Sequence, residues 1–174
     1  NNIRFEFSDI DQASAFATLF TGSNPCFSGI AGDKTFDFEK EKEVSILNDP
    51  EYLGNYTKEN YSPKNLFSST IGDELKIASQ GRSDVYSIAP DAESAILSAG
   101  HAANGAFWMD NTNGKWATTT YYKGIPWYVD RYNNGPESLA SRLETMVWTP
   151  TLPMEKYDAF PYVLDDLPFR YTFS

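Results

Sequence analysis

The residues able to do chemistry in this chain are few. One histidine, His101, and one cysteine, Cys26, stand among 174 residues. No internal disulfide can form, no site needing two histidines can be built, and zinc sites of the usual Cys/His kind are excluded. His101 is therefore expected to be a hydrogen-bonded structural histidine, and Cys26 a small packed residue. What remains are hydroxyls and carboxylates. Thr18 lies in a run rich in small and aromatic residues, Asp33 follows Gly29-Ile30-Ala31-Gly32, and Asp91 and Glu93 follow Pro90. At the first turn of a helix, carboxylates such as Asp91 and Glu93 are favoured by the dipole alone.

The elements that must position these residues read as α/β. Small residues and aromatics from Asp11 to Phe20 suit a helix packed closely against a sheet, stopped by Gly22 and Pro25. Residues 22–64 read as loops with one short strand or turn around Thr35 to Phe38, and Phe38 to Val44 as a solvated surface. The apolar spacing from Ser62 to Gln80, with Pro63 near the start and Gly81 after the end, predicts a helix. Ser83 to Ala89 reads as a buried strand, and Pro90 to Leu97 as a short helix ending at Gly100. Aromatics and threonines on either side of Asp110-Asn111-Thr112-Asn113-Gly114 predict a β-hairpin. A helical turn is expected over Ile125 to Tyr132 and a short helix over Pro136 to Met146. A short strand is expected over Ile3 to Phe7, and an aromatic-rich ordered loop from Val147 to Ser174.

Composition narrows the function. The formal charge is −10, with 24 acidic and 14 basic residues, so duplex nucleic acid is repelled by the average field. A phosphate ester could still bind locally if divalent cations inverted that field. Hydrophobic residues at 41% and aromatics at 16% predict one folded domain. No apolar run approaches the roughly 20 residues of a membrane span. The pattern at Asn1 and the aromatic stretch before Ser174 suggest a segment of a longer protein.

The block Ser14-Ala15-Phe16-Ala17-Thr18-Leu19-Phe20-Thr21-Gly22-Ser23-Asn24-Pro25, followed by Phe27-Ser28-Gly29-Ile30, resembles the nucleophile region of the alkaline phosphatase superfamily, in its type I phosphodiesterase/nucleotide pyrophosphatase branch. Further similarity runs through Leu47-Asn48-Asp49-Pro50, Ile71-Gly72-Asp73-Glu74-Leu75, Ser87 to Leu97 and Gly100-His101-Ala102-Ala103-Asn104-Gly105-Ala106-Phe107-Trp108.

The resemblance implies a partial alkaline-phosphatase-like α/β fold, a sheet flanked by helices. Residues 1–89 would belong to the core and 90–174 to an aromatic-rich cap insertion carrying the hairpin, the two packed as one domain. It also implies that Thr18 is the nucleophile and a metal ligand, activated by two zinc ions in the intact parent, whose other ligands lie outside this chain. The piece alone is expected to bind no metal tightly. Asp33 falls where an asparagine contacts substrate phosphate, and Asp91-x-Glu93 where monoesterases carry Lys-x-Arg. Two anions replacing two cations argue against a monoester and leave a diester, another substrate or no substrate. The expected partner is a small phosphate ester, nucleotides included, and the implied location is periplasmic or extracellular. The resulting reading is a fragment of a metal-dependent phosphoric ester hydrolase. The alternative is a non-catalytic member that binds a ligand or partner, favoured by Asp33, Asp91 and Glu93. Tyr121, Tyr122 and Trp127 are candidates to line a substrate lid.

Overall fold

The computed structural model describes residues 4–5, 7–8, 10–38, 40–148, 151 and 171–172. The expected strand from Ile3 to Phe7 and the loop from Val147 onward fall largely outside these residues.

Helix α1 (Gln12–Thr21) opens on a reciprocal cap. Asp11 accepts from the Ser14 N–H at 2.8 Å, and the Ser14 hydroxyl accepts from the Asp11 N–H at 3.1 Å. It stops at Gly22, whose φ of 67° suits glycine. A one-turn helix α2 (Pro25–Ser28) follows. Strands β1 (Lys34–Asp37) and β2 (Lys42–Ser45) then form an antiparallel hairpin. Both strands are largely exposed, so the stretch expected to be plain solvated surface is a ladder with solvated side chains.

After β3 (Gly54–Asn55) comes α3 (Ile71–Ala78), eight residues long. It is much shorter than the helix expected over 62–80. Thr70 and Asp73 form a capping box that fixes its start, while residues 62–69 run as irregular chain with Ser62 and Leu66 buried. Of the apolar residues there Pro63 and Leu66 are buried while Phe67 is exposed, so this is a loop touching the core at two points and not a helical face.

The main sheet has the order β3-β6-β5-β4, from β4 (Tyr86–Ala89), β5 (Gly105–Asp110) and β6 (Lys115–Thr119). β4 and β5 are parallel, joined through α4 (Ala92–Ala99), and β5-β6 is the expected hairpin. Helix α4 packs on β4 and β5 with its other side against α1. Ala13, Ala17, Ala92, Ala95 and Ala99 are buried. Small residues let helix backbones approach closely, so the small-residue run of α1 packs chiefly on a helix, where a sheet was expected. The position between residues 89 and 90 falls between two paired strands of one sheet.

A 3-10 turn (Thr120–Tyr122), α5 (Trp127–Asn133), α6 (Leu139–Thr145) and the short pair β7 (Val147–Trp148) and β8 (Tyr171–Thr172) complete the described elements. Ile96, Leu97, Leu47, Leu66, Trp108 and Tyr122 fill the core. Cys26 is exposed, contrary to the packed role expected of it, because α2 presents it to solvent. No helix among the described residues is long and apolar enough to cross a membrane.

Candidate functional site

The starts of α1 and α4 lie side by side, and most candidate residues gather there. Asp91 caps α4, accepting from the Ser94 N–H at 2.8 Å. Gln12, the first residue of α1, donates from its carboxamide Nε2 to Asp91 Oδ2 at 2.7 Å and to Ser94 Oγ at 2.7 Å. Asp11 caps α1 and also accepts from the Asp33 N–H at 2.6 Å. Asp91 accepts from the Gln12 carboxamide, and the charges of Asp91, Asp33 and Asp11 are all felt at Glu93, so the four carboxylates lie in one region.

Electrostatics record the crowding. Burial pushes the Glu93 carboxyl above its ordinary range, and the negative charges of Asp91, Asp33 and Asp11 add to that rise. Burial alone would also raise Asp11, but bonds from Ser14 and the Asp33 N–H hold it below the usual carboxylate value. Beside the patch lies a cleft of about 200 Å³ lined by Glu59, Tyr61, Asp91, Glu93, Trp108 and Asp110, among others, and no lysine or arginine lines it.

Thr18 is not part of this arrangement. It is the seventh residue of α1, six positions beyond Gln12, so its Cα lies about 9 Å further along the helix axis. Its hydroxyl oxygen is enclosed and has no hydrogen-bond partner. The structure therefore places Thr18, read as the nucleophile, late in α1 with its hydroxyl facing no cleft. Asp33, Asp91 and Glu93 lie near enough for their charges to interact. Gln12 and Asp11 were missed, although Asp11-Gln12 opening a helix is the signal that could have found them.

The residues present do not fit a zinc pair. Among the described residues no group of three or more His, Cys, Asp or Glu is arranged to hold a metal ion. Asp91 and Asp11 are already occupied as helix caps.

A second polar cluster joins the loop before α3 to the turn after α4. Asp73 accepts from the N–H groups of Thr70 (2.9 Å), His101 (2.9 Å) and Ala102 (2.7 Å), and pairs with His101 Nδ1 at 3.1 Å. His101 Nε2 meets the Leu66 carbonyl at 2.8 Å. Both ring nitrogens face acceptors, which only the doubly protonated ring satisfies fully. The Asp73 bond accordingly raises the His101 pKa, against the opposing effect of burial. His101 holds the structural role its isolation suggested. The Tyr122 hydroxyl donates to the Gly100 carbonyl at 2.8 Å, and its ring is buried. Tyr122 is thus core rather than lid, Tyr121 packs edge-on against it, and Trp127 is exposed.

No protein-family model matches the chain. Its fold and its sequence nevertheless support one class, the alkaline phosphatase superfamily, and the α/β fold matches part of an alkaline phosphatase. The chain is 35% identical over 162 residues to alkaline phosphatase PafA of Elizabethkingia meningoseptica, covering 90% of itself and 29% of that protein. It is 34% identical over 159 residues to alkaline phosphatase PhoV of Synechococcus elongatus, with 86% and 28% covered. A protein of Myroides odoratus named calcium-transporting ATPase is 36% identical over 160 residues, with 90% and 29% covered. The crystal structure of wild-type PafA superposes with a TM-score of 0.71 at 36% identity, over 84% of this chain and 29% of that one. A PafA variant with four substitutions gives the same values. The chain spans less than a third of the length of these relatives.

Proposed function

We propose that this chain is a section of a phosphoric-ester-hydrolase fold whose site has been converted from anion binding to an acidic, hydrogen-bonded patch that binds a ligand or partner without hydrolysis. One observation carries this reading. A carboxamide, Gln12, opens α1 where a nucleophile is wanted, and it is tied to Asp91 and Ser94.

The spacing of the PafA variant supports it. That protein is substituted at a threonine and an asparagine 21 positions apart, and at a lysine and an arginine two apart. Gln12 and Asp33 are 21 apart here, and Asp91 and Glu93 two apart. The interval from asparagine to lysine is 62 there, against 58 from Asp33 to Asp91, a difference that the irregular chain between them absorbs. On this correspondence a hydroxyl, an amide and two cations have become a carboxamide and three carboxylates. A carboxylate about 5 Å from a phosphate charge costs on the order of 3 kcal/mol at an effective dielectric near 20.

The second reading is a two-zinc phosphodiesterase or nucleotide pyrophosphatase, exported to the periplasm or beyond, with Thr18 as nucleophile. The acidic lining of the cleft favours its diester preference, because a monoester dianion carries the greater charge. It requires the enclosed Thr18 hydroxyl to reach phosphorus.

Assays on the full-length protein separate the two. With zinc supplied, nitrophenyl phosphodiester and monoester should both stay at background. Calorimetry should find no inorganic phosphate binding until Gln12→Thr, Asp33→Asn, Asp91→Lys and Glu93→Arg are combined. Diester turnover that disappears in Thr18→Ala would overturn the proposal in favour of the phosphodiesterase.

A further inference from the structure

His101 bridges segments that are distant in sequence. Its Nδ1 faces Asp73 Oδ2 in the first turn of α3 at 3.1 Å, and its Nε2 faces the Leu66 carbonyl, in the irregular chain before α3, at 2.8 Å. The Leu66–Phe67 peptide is held at its other end too, because the Phe67 N–H donates at 2.8 Å to the carbonyl of Ser28, the last residue of α2. Gly29 lies so close that a Cβ there would run into the Asn65 carbonyl and the Phe67 ring. One peptide group therefore links the turn after α4 to α2, and through Gly29 and Ile30 to the segment that carries Asp33.

The two acceptors on the ring are unequal. A protonated ring donates to both, whereas a neutral ring has one N–H and must leave one acceptor facing a lone pair. With the proton on Nε2, the Nδ1 lone pair would oppose a carboxylate that is 6% exposed. With the proton on Nδ1, the Nε2 lone pair opposes a neutral carbonyl. Bonds to an ionised acceptor are the stronger, so Nδ1 keeps the proton and Leu66 is the partner lost. The neighbouring anchors hold: Asn65 Nδ2 donates to the Ile46 carbonyl at 2.6 Å, and the Leu66 side chain is buried. The rearrangement is thereby confined to the Leu66–Phe67 peptide and Ser28.

Three elements bring titratable groups to this place. From α3 comes Asp73, whose carboxyl burial would raise but bonds from His101, Thr70 and Ala102 hold well below 3.8. From the 3-10 turn come Tyr121 and Tyr122, which donate to the His101 and Gly100 carbonyls at 3.2 and 2.8 Å and which burial raises above 10.0. From the irregular chain comes Lys64, directed to Asp49 at 3.8 Å. The Asp73 bond raises the ring above 6.5 against the opposing effect of burial, so its titration lies on the alkaline side of that value. At 40% exposure the side chain can exchange its proton with water while the protein stays folded.

We propose that His101 is a pH-operated clasp: loss of its proton releases the Leu66 carbonyl, and with it the hold of Phe67 on α2, while the bonds to Asp73 remain.

The test is amide hydrogen exchange on the full-length protein between about pH 6 and 10, resolved to single residues and corrected for the intrinsic rate at each pH, beside an NMR titration of the His101 ring. Protection of the Phe67 amide should fall about tenfold through the midpoint of that titration, the loss of one bond from a charged donor. Protection of the Ala102 amide, which donates to Asp73 at 2.7 Å, should change less than about twofold. His101→Gln, which does not titrate, should leave Phe67 protection flat with pH. If that variant does not fold, Phe67 against Ala102 in the unmodified protein decides. Unchanged Phe67 protection while the ring titrates would overturn the proposal, and so would a step that persists in His101→Gln. Equal loss at Ala102 would overturn it by showing that the Asp73 side opens, as would a ring that keeps its proton up to about pH 10.

Discussion

Replacing Asp73 by asparagine should destabilise the protein far more than a one-atom change suggests. The Asp73 carboxylate is 6% exposed and accepts on both oxygens: His101 N–H and Ala102 N–H at Oδ1, Thr70 N–H and the His101 ring at Oδ2. An asparagine keeps one oxygen and presents an NH2 to the other pair, so whichever way the amide turns two donors meet a donor. Bonds to a charged acceptor contribute about 1.5–3 kcal/mol each. The ring contact is discounted because the His101 side chain is 40% exposed. A loss of about 3–4 kcal/mol follows, equivalent to about 8–12 °C in melting midpoint for a domain of this size.

The pH dependence has a definite sign. His101 binds its proton more tightly when folded, so its contribution is complete below its ordinary value of 6.5 and is lost as pH rises through the raised folded value. For Asp73, burial alone would raise the pKa. Bonds from His101, Thr70 and Ala102 instead hold it well below 3.8, so its contribution is present above 3.8 and is lost as pH falls through the folded value. The pair stabilises most between 3.8 and 6.5. Circular-dichroism melts from pH 3 to 9 should show a flatter profile for Asp73→Asn. A midpoint within about 2 °C of the unmodified protein at pH 5–6 would refute this account of the cluster.

Thr18→Val replaces an enclosed, unpartnered hydroxyl by a methyl of like shape, so urea denaturation should find stability unchanged or raised by about 1 kcal/mol; a loss above that size would mean the hydroxyl has a partner. Gly100→Ala would drive a Cβ into Thr70 Oγ1 and Asp73 Oδ2 at a φ of +74°. It should cost about 3 kcal/mol or more in the same measurement, and a near-neutral result would show that the turn can move aside.

The sequence by itself determined the local elements whose signals are local. Gly22 stops α1, the Asp110–Gly114 turn makes the β5-β6 hairpin, and Pro90-Asp91 begins α4, because turn and cap chemistry depends on residues a few positions apart. It also determined that a lone His101 is structural. Only the tertiary structure decided the rest. The spacing from Ser62 to Ile71 reads as helical, yet only Pro63 and Leu66 of its apolar residues reach the core while Phe67 and Ile71 are exposed, and periodicity does not distinguish such a loop from a helix. β4 reads as buried although Tyr86 and Ile88 are open, since burial of a strand depends on the neighbour that pairs with it. Gln12 passed unnoticed beside Thr18 because a helix-opening glutamine becomes significant only when α1 and α4 bring it 2.7 Å from Asp91, 79 residues away; contacts of that range are set by packing, which no short pattern encodes.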